Sequence, residues 1–151
     1  MIFSYDDLLS DLRGLFEGER DPIANAANAA ATIWQYLPDI NWAGFYFMKR
    51  GVLVLGPFQG KSACVRIAMG QGVCGAAAAS RHTIVVRDVH EFPGHIACDS
   101  ASNSEIVIPL IRNRRVIGVL DIDSPRIGRF TEPDRAGCEA IAALYLKSLA
   151  G

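Results

Sequence analysis

The residues best suited to take part in a reaction are the four cysteines of the chain: Cys64, Cys74, Cys98 and Cys138. In a chain that stays in a reducing compartment, cysteines serve thiol chemistry, bind a metal or pack in the core, and rarely form a disulfide framework. The sequence contains no C-x-x-C pair, and none of its three histidines lies at zinc-finger spacing from a cysteine. We therefore expect no metal and no cofactor, which leaves thiol chemistry and burial as the alternatives.

Thiol-dependent reduction is the chemistry that several cysteines could perform together. It needs an attacking thiolate, a proton source for the departing oxygen and a second thiol that clears the resulting sulfenic acid. Cys98 is the candidate for the thiolate, because it lies in the polar loop FPGHIACDS three residues after His95, and loop N–H groups can stabilise a thiolate. The same position also fits an ordinary loop cysteine. Cys138 falls on the inner face of a predicted helix and is interpreted as a small buried residue.

Acidic and aromatic residues at a spacing of two could complete such a site. Asp121 and Asp123 would share one face of an apolar strand, where buried carboxyls need partners or a raised pKa. Alternatively, the strand has already ended and both are solvated turn residues before Ser124-Pro125. Trp42 and Tyr46 share a strand face and could form an apolar wall for a sulfur-containing ligand, although aromatic residues at this spacing are more often core.

Length, charge and hydropathy limit the class of protein. A chain of 151 residues is the usual size of one domain, and 15 Lys and Arg against 16 Asp and Glu leave no basic surface for nucleic acid. The acidic N-terminal segment MIFSYDDLLSDL is not a secretory leader, and no apolar run approaches the roughly 20 residues of a membrane span. We expect a soluble cytoplasmic protein that binds neither nucleic acid nor membrane.

Three segments with helical periodicity indicate helices near the two ends of the chain. The first starts at Ser4, the second starts at Asp21-Pro22 and ends at Pro38, and the last opens with Thr131 and Pro133. Their apolar stripes are Leu8, Leu9, Leu12, Leu15 and Phe16; Ile23, Ala26, Ala27, Ala30, Trp34 and Leu37; and Cys138, Ile141, Ala142, Tyr145 and Leu149. A short helix is also predicted over Val73 to Ser80.

The middle of the chain shows the period of two in its side chains that is typical of β-strands. Strands are predicted from Trp42 to Phe47, from Val52 to Leu55, around Ala63 to Ile67, from Thr83 to Val86, from Ile106 to Ile111 and from Val116 to Asp123. The last two flank Asn113-Arg114, which predicts a two-residue hairpin turn. The segment VHEFPGHIACDSASNS has no period, and a long irregular segment in a compact domain is usually functional. The order predicts an α+β fold, with terminal helices on one face of a largely antiparallel sheet and irregular crossover segments covering a ligand pocket on the other.

Three stretches of the chain closely resemble the free methionine-R-sulfoxide reductase family, whose members are stand-alone GAF domains: GPFQGKSACVRIAMGQGVCG, TIVVRDVHEFPGHIACDSASNSEIVIPL and VIGVLDIDSP. The resemblance extends over nearly the whole chain and is densest from Asn41 to Ser124. GAF sensor domains share the fold and a VIGVLDID-like strand but not the three placed cysteines. The resemblance implies that residues 1–151 form a single GAF domain.

The resemblance also assigns roles to individual positions. It makes Cys98 the nucleophile, Cys64 the main resolving thiol and Cys74 a third thiol able to enter the exchange. It places Glu105, Asp121 and Asp123 in an acidic substrate pocket, and Trp42 and Tyr46 in its aromatic wall. The implied reaction reduces free L-methionine-(R)-S-oxide to L-methionine through a Cys98 sulfenic acid and a Cys64–Cys98 disulfide. The family's reductant is thioredoxin, and its members are commonly homodimers.

Two expectations follow for the structure. Cys64 and Cys98 must bring their Cα atoms within roughly 7 Å to form a disulfide. With a regular turn at Asn113-Arg114, Glu105 would pair with Ile122 and face away from the two aspartates, so it must lie in the preceding loop or beside a bulge; we expect the loop. A non-catalytic GAF domain that senses a small ligand is the alternative function.

Overall fold

The computed structural model describes residues 3–95, 98 and 101–150 of the chain. Its four α-helices are α1 (Tyr5–Phe16), α2 (Pro22–Tyr36), α3 (Gly72–Ser80) and α4 (Glu132–Ser148). The predicted starts are confirmed: Ser4 accepts from the N–H of Asp7, and Asp21 accepts from Ile23 and Ala24. Thr131 and Asp134 form a reciprocal capping box at the start of α4. None of the helices in the described part of the chain is long and apolar enough to cross a bilayer.

Six antiparallel strands form one sheet. They are β1 (Trp42–Lys49), β2 (Val52–Gly60), β3 (Arg66–Ala68), β4 (Ile84–Val86), β5 (Ser104–Arg112) and β6 (Arg115–Ser124). Their order across the sheet is β3-β2-β1-β6-β5-β4, so β1 and β6 lie at its centre. The longest strands are therefore flanked on both sides, and residues on them are held by two ladders.

Each face of the sheet carries its own apolar core, as the alternation in β1 predicted. Ala43, Phe45 and Phe47 pack with helices α1, α2 and α4 on one face. Trp42 and Tyr46 point to the other face and pack with residues of α3, β2 and the crossover segments. The α+β arrangement predicted from the sequence is confirmed, including the side of the sheet on which the terminal helices lie.

Local predictions for α2 and for β2 were wrong. The buried stripe of α2 consists of Asn25, Ala26, Ala29, Ala30, Thr32 and Ile33, whereas Ile23 and Trp34 are 56% and 39% exposed. The small residues lie inward because they let α2 lie close to the sheet and to α1. The glycine-rich stretch after Leu55, predicted as irregular, continues β2 to Gly60 because β1 pairs with it along that length. Pairing supplied by a neighbouring strand here outweighs the low β propensity of glycine and proline.

A β-bulge in the β5–β6 hairpin sets the register of the sheet centre. Asn113 and Arg114 form the predicted two-residue turn, both with positive φ (52° and 67°). Ile111 pairs with Val116 but Leu110 pairs with Gly118, so Ile117 is the extra residue. Glu105 therefore lies within β5 opposite Asp123, and the expectation that it lies in the loop was wrong.

Candidate active site

The bulge places three acidic side chains on one face of the sheet. Directly opposed residues of antiparallel strands point to the same side, and one row across β1, β6 and β5 reads Trp42, Asp123, Glu105. In the adjoining row Asp121 lies between Gly44 and Val107. Because Gly44 has no side chain, the space above it is available to neighbouring side chains. The strand has not ended before the aspartates, and the alternative of solvated turn residues does not hold.

Burial dominates the electrostatics of this acidic cluster. Glu105 and Asp121 are only 8% and 5% exposed. Burial raises the pKa of Glu105 well above its usual value, and the charges of Asp121 and Asp123 raise it further. Burial also raises the pKa of Asp121, although hydrogen bonds with Glu105 and Cys74 oppose that rise. Burial and the neighbouring carboxylates thus favour the neutral, proton-donating form of Glu105.

Cys74, which lies on helix α3, contacts the acidic cluster. Its thiol is buried and hydrogen-bonds with Asp121. Burial, followed by the charges of Asp121 and Glu105, raises the thiol pKa well above its usual range. Gly75 allows α3 to approach this closely, because a Cβ there would lie 2.4 Å from the carbonyl oxygen of Ala68. Cys74 is therefore a protonated thiol inside the pocket and a poor nucleophile in this state.

An aromatic wall forms the side of the pocket opposite α3. The rings of Trp42 and Tyr46 stack with centroids 5.9 Å apart, and Phe58 stacks on the other face of Trp42 at 5.2 Å. Trp42 Nε1 donates to the carbonyl of Lys61 at 3.0 Å, and the Tyr46 hydroxyl donates to the carbonyl of Cys64 at 2.9 Å. The wall therefore also fixes the backbone of the segment that carries Cys64.

Cys64 and Cys98 are joined by a disulfide bond. Their Cα atoms lie 5.5 Å apart although 34 positions separate them in sequence, within the reach expected for exchange. Cys98 lies at the pocket, whereas Cys64 lies behind the aromatic wall on the segment that Tyr46 holds. Cys74 and Cys138 remain free thiols, and Cys138 is fully buried on α4 as expected, with a thiol pKa raised by burial to about 12.

The pocket brings together seven of the eight site residues predicted from the sequence, and the eighth, Cys64, reaches it through the disulfide. Its lining comprises Trp42, Tyr46, Ser62, Ala63, Ile67, Gln71, Gly72, Val73, Cys74, His95, Cys98, Ser102, Glu105, Asp121 and Asp123. His95 is half-buried there, and burial lowers its pKa. Ser102 was not anticipated; a hydrogen bond from Asn41 Nδ2 at 3.0 Å fixes it.

The first turn of α3 also faces the pocket and was not anticipated. Gln71, Gly72, Val73 and Cys74 all line it. No side chain in the described part of the chain caps this helix N-terminus. The first N–H groups of a helix have no partner within the helix and attract anions. The pocket thus combines an acidic floor with an electropositive edge, a combination that suits a zwitterion.

This geometry has known counterparts. The family model of the GAF domain matches residues 24–146. The chain is 53% identical to free methionine-R-sulfoxide reductase of Escherichia coli over 97% of this chain and 88% of that protein. It superposes on the substrate complex of the Staphylococcus aureus enzyme with a TM-score of 0.95 (46% identity, 99% of this chain and 98% of that one). It also superposes on the Neisseria meningitidis enzyme with its substrate, with a TM-score of 0.93 (41% identity, 99% and 94%).

The fold, the pocket beneath α3 and the matched model define a GAF-domain protein. Sensor GAF domains share that architecture, and a Burkholderia vietnamiensis protein described as a candidate GAF sensor is 54% identical over 96% of this chain and 95% of that one. The relatives with a named activity at comparable identity and coverage are free methionine-R-sulfoxide reductases. The chain belongs to the free methionine-R-sulfoxide reductase family.

Proposed function

We propose that residues 1–151 act as one GAF domain that reduces free L-methionine-(R)-S-oxide to L-methionine. The observation that carries the proposal is the Cys64–Cys98 disulfide at a pocket whose floor is a buried acidic cluster. A redox-active cysteine pair next to a neutral carboxyl supplies the electrons and the proton that sulfoxide reduction requires.

The acidic floor and the N-terminal edge of α3 bind different charged groups of the substrate. The carboxylates of Asp121 and Asp123 hold the ammonium group, and the N-terminal turn of α3 holds the carboxylate. Trp42 and Tyr46 cover the thioether side of the substrate, because sulfur packs favourably against aromatic rings. Peptide-bound methionine sulfoxide has neither free charge and is excluded.

The reaction starts from the reduced enzyme. The Cys98 thiolate attacks the sulfoxide sulfur and forms an S–S bond to it, while Glu105 protonates the sulfoxide oxygen. The hydroxyl then passes from the methionine sulfur to the Cys98 sulfur as that S–S bond breaks, which releases methionine and leaves Cys98 as a sulfenic acid. The Cys64 thiol then displaces that oxygen as water and forms the disulfide. Two thiols are oxidised to one disulfide while one sulfoxide is reduced to a thioether, so electrons balance. Cys74, held protonated beside Asp121, is a secondary participant in thiol exchange.

A thioredoxin-type dithiol returns the disulfide to the two thiols, and we place the reaction in the cytoplasm, where such reductants operate.

We also propose a homodimer. Ile23 and Trp34, both exposed on the outer face of α2, supply apolar surface of the kind that protein interfaces bury. Analytical ultracentrifugation of the chain and of a double variant with Ile23→Ser and Trp34→Ser tests this assembly.

The decisive experiment is a thioredoxin-coupled assay with a matched substrate series. It compares free methionine-R-sulfoxide with the S epimer, with the N-acetyl derivative, which lacks the ammonium, and with the methyl ester, which lacks the carboxylate. We expect turnover of the free R epimer and a large loss of kcat/KM with the other three. Comparable kcat/KM on a peptide-bound sulfoxide contradicts the proposed specificity.

A further inference from the structure

Cys74 forms a compact cluster of potential metal ligands with two of the acids. Its Sγ and one carboxylate oxygen each from Glu105 and Asp121 all lie within 4.8 Å of one another. The three residues are 4%, 8% and 5% exposed. They come from α3, β5 and β6, three elements packed together by the pocket-side core, so the cluster is held by the fold and not by a mobile surface loop.

A second observation points to a cationic ligand at this place. Asp121 Oδ1 is buried and has no hydrogen-bond partner in the described part of the chain, and the residue lines the pocket. A carboxylate oxygen removed from water without a compensating partner is costly. A cation bound to the Asp121 carboxylate would give that oxygen a partner and relieve the cost.

The donor set selects the class of metal. Mg²⁺ and Ca²⁺ prefer oxygen ligands, whereas one thiolate with two carboxylates suits a borderline ion such as Zn²⁺. Zinc holds sulfur at about 2.3 Å and carboxylate oxygen at about 2.0–2.2 Å in a tetrahedron, so the three donor atoms must approach one another more closely than the 4.8 Å within which they now lie to bind it. Three protein ligands leave a fourth position open to water.

We propose that Cys74, Glu105 and Asp121 form a Zn²⁺-binding site. On binding, the Cys74 thiol and the Glu105 carboxyl lose their protons to solvent, one Zn–S bond and two Zn–O bonds form, and no group is oxidised or reduced. The ion occupies the acidic floor of the pocket. Zn²⁺ therefore also competes with free methionine sulfoxide, a consequence that rests on the proposed function, whereas binding of the metal itself does not.

The test uses the oxidised protein, in which Cys64 and Cys98 are bonded and only Cys74 and Cys138 of the four cysteines are thiols. Co²⁺ replaces Zn²⁺ as a spectroscopic probe, because a thiolate ligand produces a near-ultraviolet charge-transfer band. We expect this band with the wild-type chain and with Cys138→Ala, its loss in Cys74→Ala, and displacement of Co²⁺ by one equivalent of Zn²⁺.

Isothermal titration with Zn²⁺ provides a readout that leaves the thiol in place. Glu105→Gln and Asp121→Asn should each weaken Zn²⁺ binding by tenfold or more, with far-ultraviolet circular dichroism confirming the fold. A missing thiolate band in the wild-type chain overturns the site, as does a band that survives in Cys74→Ala or unchanged Zn²⁺ affinity in both acid variants. These measurements contain no substrate, so failure of the metal site leaves the reductase proposal standing, and loss of reductase activity does not affect them.

Discussion

Glu105 of β5 lies directly opposite Asp123 of β6, with Trp42 of β1 on the other side of the aspartate in the same row. This pairing depends on the extra residue Ile117 in β6. Without the bulge, every β5 residue on the turn-distal side would shift by one position, and the Glu105 side chain would point to the helix-covered face. The acidic cluster is therefore a consequence of one local irregularity.

Replacing Glu105 with Gln tests its role as the proton donor. A general acid typically contributes about 10²–10⁴-fold, so we expect turnover to fall by at least about 100-fold. Asp121→Asn and Asp123→Asn should also lower kcat/KM, chiefly by raising KM for the zwitterion. Steady-state kinetics on folded protein decide this, and a large loss of stability with unaltered specific activity would mark these residues as structural.

The raised pKa of Glu105 also predicts a pH dependence of stability. The native protein retains a proton that the unfolded chain releases above about pH 4.3, so the free energy of unfolding falls as pH rises through this range toward the native pKa. Glu105→Gln lacks this penalty. The thermal midpoint of this variant minus that of wild type, both in the same redox state, should therefore increase as the pH rises above about 4.3, the usual pKa of an exposed Glu. A difference that is constant over this range contradicts the shifted pKa.

A single-turnover experiment without reductant should distinguish the roles of the two cysteines that form the disulfide. Cys98→Ser should release no methionine, whereas Cys64→Ser should still release about one methionine per active site before stalling, because attack on sulfur precedes disulfide formation. Peptide mapping of the wild-type chain after one equivalent of substrate should show Cys64 linked to Cys98. A dominant Cys64–Cys74 product with Cys98 free would reverse the assignment.

Cys138 is the matched control for the other thiols. It is fully buried, and the Tyr5 hydroxyl oxygen lies 3.9 Å from its Sγ. Cys138→Ala should leave kcat and KM unchanged and cost on the order of 1 kcal/mol of stability. Because its pKa is raised to about 12, the thiol should also resist alkylation in the native protein. Loss of activity with an intact fold would contradict the assignment of Cys138 to packing alone.

Two glycine substitutions should have opposite effects. A Cβ on Gly44 would lie 2.3 Å from Phe58 Cβ, so Gly44→Ala should displace Phe58 from Trp42, cost about 1–3 kcal/mol and raise KM. Gly14 lies in α1 with nothing within 4 Å of an added Cβ, so Gly14→Ala should stabilise the protein by about 0.4–1 kcal/mol. Urea denaturation measures both, and equal effects of the two substitutions would contradict the close packing at Gly44.

The sequence by itself determined what depends on neighbours along the chain. Ser4, Asp21 and Thr131 fixed helix starts because capping is local, and alternation from Trp42 to Phe47 fixed which residues of β1 face each core. Eight site residues were also predicted, on the basis of the family resemblance of the motifs around Cys64, Cys98 and Asp121, and seven of them line the pocket.

Tertiary structure decided what depends on partners distant in sequence. The inward face of α2 could not be read from hydrophobicity, because close approach of the helix favours alanine over Ile23 and Trp34. The place of Glu105 depended on a bulge, whose register is set by pairing across β1, β6 and β5 and not by the turn. The contact of Cys74 with Asp121 arises only when α3 lies over the sheet, and so does the buried ligand cluster, because no spacing along the chain encodes packing between elements.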